Sequence, residues 1–524
     1  MENTSRFSVA VCGGGIGGVA LAMTIGKYSD IPVDVYEAGP EIATNGAGVG
    51  LWRRAWQVMH QLELEDAVIA KAIQPPKESG GLGLIFRKSD EPEGGYDLFE
   101  QFLPYGAISM HRADVLRIFE TRLPPSCKLH TSKRLTHYTT PPSGTPVTLH
   151  FADGTSATAD VLIGADGVRS PTRTSLFEMW AKEHLSDGTT PPPRVEPIFG
   201  GSLVYRCLIS IDLLKTLNPE HRAIHSRIIY CGKDKHIVSY PLQGGLINFL
   251  AFSSAPGVEH AFSADNWVVD ISGDEIIALF EEWEPDVRTL VQCVRQAKRW
   301  AVHIVEPLPT FVHQNVALIG DAAHAMPTHM AAGAGQAIED AYLLGRILTH
   351  PSLSPSFSLS SPTPSPTLIP TALKIYDQIR RPFVAHIAAE SRVVGLLYEF
   401  NAPGLSYDGS GAGVSEGNGK GKGVGKKGDM EELKRVLEEK WSWHGVGEGG
   451  PDDNWEEARG VLERLGVGVG GLTFFLLDGG LWVFWICGWL GEACMISGRS
   501  VSDTRCLSLS LFLPSFLQGV REVF

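Results

Sequence analysis

The first 36 residues alternate between short apolar runs, a glycine-rich turn and a longer apolar stretch. Phe7 to Cys12 has the length of a buried strand, glycines dominate positions 13–18, and Val19 to Lys27 has the length of a helix. Val33 to Tyr36 is a second short apolar run. This order predicts strand, turn, helix and strand, which is the βαβ unit of a parallel sheet.

Two later segments repeat the change from apolar run to turn. Asp160–Gly164 leads into Ala165-Asp166-Gly167, and Asn315–Gly320 leads into Asp321-Ala322-Ala323-His324. Between them, segments such as 201–206 and 235–240 have the composition of strands. The pattern predicts an α/β protein in which a β-rich section is inserted into the first domain.

The second half of the chain contains segments of distinct composition. Pro, Ser and Thr dominate 351–370, which predicts a disordered insert between two helices. Residues 404–428 are rich in Gly, Ser and Lys, as flexible linkers are, and 429–465 read as a polar helical extension. The predicted division is therefore a first domain in two parts, 1–195 and 301–403, an inserted β-rich domain at 196–300, the linker, the extension and a hydrophobic tail at 466–524.

The hydrophobic tail contains the aromatic run 481–490. A membrane anchor needs roughly 20 mainly apolar residues, but Asp478 interrupts this stretch and six glycines fall between Gly466 and Gly480. The pattern favours a packed or disordered tail, or a terminus from an incorrect gene model. Anchoring to a membrane through this tail is the alternative.

Composition narrows the function classes. The formal net charge of -14 argues against a nucleic-acid partner, because phosphate binding needs concentrated Lys and Arg. The 8 cysteines form no CxxC pair and no Cys/His cluster with zinc-ligand spacing, so no metal site is predicted. They also do not look like a disulfide framework, which favours a reducing, cytoplasmic location.

The first glycine-rich turn matches the GxGxxG pattern through Gly13, Gly15 and Gly18. The first glycine permits a tight turn, the second lets the backbone approach a pyrophosphate, and the third allows close packing of helix on strand. Glu37 follows the second strand, where a carboxylate can accept hydrogen bonds from ribose hydroxyls. The unit predicts a dinucleotide site and leaves FAD and NAD open.

The two later turns add polar groups at strand ends. Asp166-Gly167 by itself is an ordinary turn sequence. Asp321 is placed to bind a sugar-like hydroxyl chain, and the glycines of 333–335 open another apolar helix, whose N-terminus can stabilise negative charge on a reduced flavin ring. For His324 we prefer a structural role to a catalytic one.

Taken in this order, the three motifs resemble those of the group A flavoprotein monooxygenases, which share the para-hydroxybenzoate hydroxylase fold. The sequence is most similar to salicylate hydroxylase-like enzymes. Further matches are the segments 111–116, 239–242 with Asn248, and 306–310. Apart from the insert, the resemblance runs from about Phe7 to Pro403.

The resemblance implies an α/β fold in which a Rossmann-like FAD-binding domain of the glutathione-reductase type carries an inserted β-rich substrate domain and a C-terminal helical extension. It also implies roles for particular residues. The ADP half of FAD would be held by Gly13, Gly15, Gly18 and Glu37. Arg112 would contact the ribityl or phosphate portion of the flavin, Asp321 would bind the ribityl chain, and the isoalloxazine would be faced by Gly333, Ala334 and Gly335. Gly48 and Gly50 would lie in a further flavin-contacting loop, and Asp166 and Gly167 belong to a motif linked to both FAD and the pyridine nucleotide.

The implied reaction is hydroxylation of a phenolic or related ring. NADPH or NADH would reduce FAD, which reacts with O2 to give a C4a-hydroperoxide that oxygenates the ring. Arg206 suits a substrate carboxylate, and the alternative for it is a structural ion pair. Tyr240 can exchange a hydrogen bond with a phenol, and the alternative for it is packing at the domain boundary. Competing functions are hydroxylation or epoxidation of a polyketide or terpenoid intermediate, and a catalytically silent flavin-binding scaffold.

Overall fold

The computed structural model describes most of the chain. Backbone and side chains are described for residues 7–42, 48–185, 191–254, 267–353, 368–403, 430–441 and 449–465. The backbone alone is described for 427–429, 466–468, 472–477, 480–486, 493–496 and 507–508.

The described residues form strands and helices in alternation. The strands are β1 Val9–Cys12, β2 Val33–Tyr36, β3 Gly48–Leu51, β4 Lys77–Lys88, β5 Tyr96–Tyr105, β6 Ile108–His111, β7 Cys127–His130, β8 Leu135–Thr139, β9 Val147–Phe151, β10 Ser156–Ala159, β11 Val161–Gly164, β12 Ile198–Ser210, β13 Ile228–Gly232, β14 Lys235–Leu242, β15 Leu246–Ser254, β16 Val268–Ser272, β17 Gln296–Ile304, β18 Val312–His313, β19 Val316–Leu318, β20 Leu472–Leu477, β21 Gly480–Ile486, β22 Ala493–Ile496 and β23 Leu507–Ser508. The helices are α1 Ile16–Tyr28, α2 Arg53–Gln61, α3 Glu65–Ile69, α4 Arg112–Glu120, α5 Pro171–His184, α6 Ile211–Leu217, α7 Gly273–Leu279, α8 Pro285–Gln292, α9 Asp321–His324, α10 Gly333–Leu348, α11 Leu368–Tyr398, α12 Lys427–Lys440 and α13 Pro451–Gly468.

A six-stranded sheet in the order β18-β19-β11-β1-β2-β7 forms the first layer. β1 pairs in parallel with β2 and β11, and every residue of β1 is buried. A strand covered on both faces reads as a continuous apolar run, as the sequence predicts for this segment. Because β1, β2, β11 and β19 run in the same direction, the segments that follow them meet at one edge of the sheet, where ligands bind in open α/β folds.

A second sheet has eight strands in the order β16-β17-β12-β15-β14-β13-β4-β5. The predicted β-rich section supplies six of these strands, but β4 and β5 come from residues 77–105, which the sequence-based division places in the first domain. A parallel pairing between Ile228 of β13 and Ile85 of β4 makes this connection. The domain boundaries stay predictions, and the sheet favours counting 77–105 with the β-rich domain.

The two faces of this sheet have different surroundings. Tyr205 of β12 lies in a buried apolar cluster together with Phe280 and Leu290, from the region of α7 and α8. Since successive side chains of a strand point to opposite faces, Arg206 lies on the other face, as do Tyr240 and Asn248, which pair across β14 and β15. The candidate substrate residues thus share the face that is turned away from those helices.

The boundaries of the segments that follow α10 differ from the predicted boundaries. Residues 351–353 form a 3-10 helix and α11 begins at Leu368, so the predicted insert 351–370 is ordered at both ends, because Leu353 and Ile369 bury their side chains. Its centre, 354–367, and the predicted linker up to residue 426 lie outside the described residues. α12 and α13 cover most of the predicted helical extension 429–465, but α12 begins before it, at Lys427, and α13 ends after it, at Gly468.

Residues 466–468 of the predicted tail belong to α13, and its other described residues form a sheet in the order β20-β21-β22-β23, with antiparallel pairing throughout. The rest of 469–524 lies outside the described residues. Among the helices that the structure describes, none has the length and apolar character required to span a bilayer.

Candidate active site

The glycine-rich turn combines crowded and open positions. Gly13 has φ +113°, and a Cβ there would overlap the carbonyl oxygen of Ala165. A Cβ on Gly18 would overlap the carbonyl oxygen of Gly13, because α1 begins at Ile16 and packs its first turn closely on the strand. A Cβ on Gly15, in contrast, would meet nothing within 4 Å. The turn therefore leaves room for a phosphate at Gly15, where the N-terminus of α1 offers free N–H groups.

Glu37 lies directly after β2 and holds the turn. Its carboxylate accepts hydrogen bonds from the backbone N–H of Gly14 at 2.8 Å and of Gly39 at 2.7 Å. Each carboxylate oxygen has a further lone pair for a ligand hydroxyl. Glu37 can therefore make the predicted ribose contact and these backbone contacts at the same time. The sequence alone did not indicate the backbone contacts.

Asp166 follows β11, and only one of its two carboxylate oxygens has a hydrogen-bond partner in the described structure. Its Oδ2 accepts from the N–H of Thr172 at 3.0 Å and from the Thr172 hydroxyl at 2.6 Å, whereas its buried Oδ1 has no partner in the described structure. Burial raises the pKa of this carboxyl, since desolvation disfavours the charged form. Gly167, with φ +76°, turns the chain away directly afterwards. The unpartnered Oδ1 can accept a hydrogen bond from a cofactor hydroxyl.

Arg173 joins two of the predicted motifs, a role that the sequence analysis missed. The side chain is 1% exposed and donates to the carbonyl oxygens of Val168, Val195 and Ala322. It therefore ties the turn after β11 to the turn after β19. A basic residue on the buried side of α5 was the available signal, but its three partners lie far apart in sequence.

The third motif forms the start of two helices. Asp321 is exposed at the start of α9, and its Oδ1 lies 3.9 Å from where a Cβ on Gly333 would stand. Gly333 opens α10, as the sequence predicts, with Ala334 partly buried and Gly335 facing Ala55. The residues predicted to contact the ribityl chain and the flavin ring are thus neighbours.

A buried charge network fixes these helix starts. Asp340 accepts from Arg380 at 2.8 Å and from the N–H of Gly320 at 3.0 Å, and its other close partner is His324 Nε2, at 2.5 Å. Burial alone would raise the pKa of Asp340, but the charges of His324 and Arg380 outweigh it and lower the pKa to about 2. Arg380 also pairs with Glu339 at 3.0 Å. The position of His324 agrees with the structural role predicted for it.

Strand β3 brings the predicted flavin loop against the predicted substrate residues. The N–H of Gly48 donates to Asn248 Oδ1 at 2.9 Å, and a Cβ on Gly48 would stand 2.5 Å from the Tyr240 hydroxyl. A Cβ on Gly50 would lie 4.0 Å from Ala331, in the loop that leads into α10. The glycines of β3 therefore lie between Tyr240 and the N-terminal loop of α10, and a bulky residue at Gly48 would close that gap.

Arg206 and Tyr240 interact electrostatically, and the charges of the described residues that act on Arg206 include no acidic side chain. Burial lowers the pKa of the Arg206 guanidinium; the nearby Tyr240 opposes this and the positive charge of Arg112 adds to it. Arg206 lies 5.8 Å from the centre of the Trp300 ring, and within the described ranges its guanidinium makes no hydrogen bond or ion pair. The predicted alternative, a structural ion pair, is therefore not found there. Arg112, at the exposed start of α4, belongs to the same region.

A buried acid and two histidines lie behind this region. Glu399 follows α11; its Oε1 lies 2.8 Å from His236 Nδ1 and accepts from the Ser254 hydroxyl at 2.9 Å. The ring of His329, from the loop before α10, lies 5.3 Å from that of His236. Burial raises the pKa of Glu399 to about 7, an effect that His329 and Ser254 oppose. No sequence pattern indicated this group, because its members come from three distant segments.

Comparison with known proteins identifies the family. Residues 255–352 match the family model described as an FAD binding domain. Salicylate hydroxylase of Pseudomonas putida is 33% identical over 77% of this chain and 88% of its own length, and an FAD-dependent monooxygenase of Strobilurus tenacellus is 31% identical over 75% and 89%. A solved salicylate hydroxylase substrate complex superposes with a TM-score of 0.70 at 30% identity, covering 87% of this chain and 98% of the other. The chain belongs to the FAD-dependent aromatic monooxygenases related to salicylate hydroxylase, and the predicted family, fold class and enzyme type are confirmed.

Proposed function

We propose that this enzyme hydroxylates an aromatic ring that carries both a carboxylate and a hydroxyl group, as salicylate does. The observation that carries the proposal is the partly buried Arg206 guanidinium, which has no acidic partner among the described residues, next to Tyr240. A cation that is partly removed from water without a counter-ion is costly unless a ligand supplies the negative charge. A substrate carboxylate supplies it and can pair with the guanidinium through two hydrogen bonds.

Each part of the site then has a task. FAD, with NADH or NADPH as electron donor, supplies the oxygen-transfer chemistry when bound. Arg206 holds the carboxylate, and the Tyr240 hydroxyl exchanges a hydrogen bond with the substrate hydroxyl. Val238 and Leu250 lie on the same face of the sheet, partly buried against an apolar cluster, and can cover the ring and exclude water.

The cofactor roles proposed from the sequence fit this arrangement. The open space at Gly15 and the unpartnered acceptor of Asp166 are features that FAD would use. FAD, with NADPH or NADH as electron donor, is therefore the cofactor set of the enzyme. Small aromatic molecules and O2 are the proposed reactants, and the absence of a nucleic-acid partner and the cytoplasmic location stay predictions from composition.

Arg206→Met tests the proposal. Truncating one partner of a buried, hydrogen-bonded charge pair costs about 2–5 kcal/mol, so we expect the KM for salicylate to rise at least ~30-fold. With phenol, which has no carboxylate, the variant should retain the wild-type KM. NAD(P)H oxidation and product analysis by chromatography measure both values.

Arg299→Met is the matched control. Arg299 lies on β17 of the same sheet and pairs with Glu275 at 3.2 Å, so its loss should leave both KM values unchanged. If Arg206→Met binds salicylate within threefold of the wild type, while both variants fold, the carboxylate is held elsewhere and the proposed role of Arg206 is wrong.

A further inference from the structure

Arg227 is a second buried cation beside Tyr240. Ile228 pairs with Ser239, which places Arg227, the residue before, next to Tyr240 on the neighbouring strand. The residue is 6% exposed; Nε donates to Ser109 and Nη1 to Gln74, each at 3.2 Å. Nη2 is buried without a partner in the described structure. One N–H-bearing nitrogen of this guanidinium therefore remains for a ligand.

Asn248 supplies a donor on the other side of Tyr240, with which it pairs directly across β14 and β15. It is 2% exposed, and its Oδ1 is committed to the N–H of Gly48. This bond sets the orientation of the amide, because only the oxygen can accept from an N–H. The remaining Nδ2 is buried without a partner among the described residues.

The groups around Tyr240 are thus donors that lack acceptors. The described charges that act on Tyr240 are those of Arg206 and Arg227, and both are positive. A buried donor that stays unpaired costs about 1–3 kcal/mol. A ligand that brings an oxygen with free lone pairs removes this cost, whereas a ligand that brings further N–H groups does not.

We propose that Arg227 and Asn248 determine specificity by selecting rings whose substituent beside Tyr240 is a hydroxyl or phenolate oxygen rather than an amino group. The inference rests on the proposed function, since it assumes that an aromatic acid binds against Arg206 and Tyr240. In the complex with 2-aminobenzoate, which has the same carboxylate and ring, two buried donors lose their acceptor. We therefore expect salicylate to bind at least about 100-fold more tightly than 2-aminobenzoate.

Asn248→Asp is the test, because aspartate keeps an oxygen for Gly48 and replaces the donor by an acceptor. We expect the ratio of the Kd for 2-aminobenzoate to the Kd for salicylate to fall at least tenfold. Asn248→Ala, which removes the donor without adding charge, should lower the ratio by weakening salicylate binding alone. Both Kd values are measured on the FAD-loaded enzyme by titrating the flavin absorbance change, without turnover.

Asn218→Asp is the matched control. Asn218 caps the C-terminus of α6, whose Leu214 packs in the apolar cluster on the helix-covered side of the sheet, so the same added charge should leave the ratio unchanged. If neither ligand perturbs the flavin of the wild type, the proposed function fails. If salicylate binds but the ratio stays within threefold in both Asn248 variants, the function stands and the specificity inference is overturned.

Discussion

Two glycines of the predicted pyrophosphate turn, Gly15 and Gly18, should respond to alanine in opposite ways. At Gly15 a Cβ meets nothing within 4 Å and φ is -71°, which any residue adopts. Gly15→Ala should therefore leave the stability of the apoprotein unchanged or raise it by about 0.4–1 kcal/mol, as compatible Gly-to-Ala changes do. Its methyl group, however, occupies the space that a pyrophosphate needs.

At Gly18 the Cβ would overlap the Gly13 carbonyl oxygen, and a backbone atom cannot rotate away. Overpacking a well-packed site costs typically about 1–3 kcal/mol, and we expect Gly18→Ala to lie at the upper end, because the turn itself must shift. For Gly15→Ala we expect the FAD Kd to rise by about 30- to 100-fold, which corresponds to roughly 2–3 kcal/mol.

The assay combines two measurements on protein stripped of flavin. Urea unfolding gives the free energy of unfolding, and flavin fluorescence titration gives the FAD Kd. The reasoning is refuted if Gly15→Ala binds FAD within threefold of the wild type, since Gly15 then does not face the cofactor. A Gly18→Ala apoprotein as stable as the wild type would equally refute the packing argument.

Two further predictions concern the buried charges. Because the pKa of Glu399 is raised from 4.5 to about 7, the folded protein holds this proton more tightly than the unfolded chain, and the resulting stability is present below about pH 4.5 and lost as the pH rises through 7. Urea titrations of the wild type and of Glu399→Gln give the difference between their free energies of unfolding, wild type minus variant. This difference should fall by roughly 3 kcal/mol between pH 4.5 and 8. A difference that does not depend on pH would contradict the prediction. Arg380→Met should lower the free energy of unfolding by about 3–5 kcal/mol, because Asp340 and Glu339 lose a buried partner. Arg435→Met, at an exposed side chain of α12, should leave the melting temperature unchanged. Equal melting temperatures for the two variants would show that the network does not stabilise the fold.

The local features of the fold could be predicted from sequence because each depends on neighbouring residues. The bounds of β2 and the start of α10 at Gly333 are where the pattern places them. The first helix begins earlier than predicted, at Ile16, since Gly17 and Gly18 belong to its first turn. Motifs that combine a strand end with a turn therefore indicate the edge of the sheet at which the segments after β1, β2, β11 and β19 meet.

The features that the sequence did not predict depend on long-range pairing. β4 joins the second sheet through β13, more than a hundred residues later, and no local pattern specifies that partner. The same holds for the unpaired nitrogens of Arg227 and Asn248, which become notable only when the fold shows what lies around them. An isolated arginine before an apolar strand, such as Arg227, is the weak signal that the sequence offers.

The hydroxylase function is tested first by NAD(P)H oxidation by the purified protein with and without salicylate. We predict a flavin absorption spectrum, oxidation that salicylate stimulates at least tenfold, and a hydroxylated or decarboxylated dihydroxy product in an amount that matches the NAD(P)H consumed. A protein that binds FAD but shows no stimulation by any hydroxybenzoate would contradict the proposed substrate class, and a protein that binds no flavin would contradict the central claim.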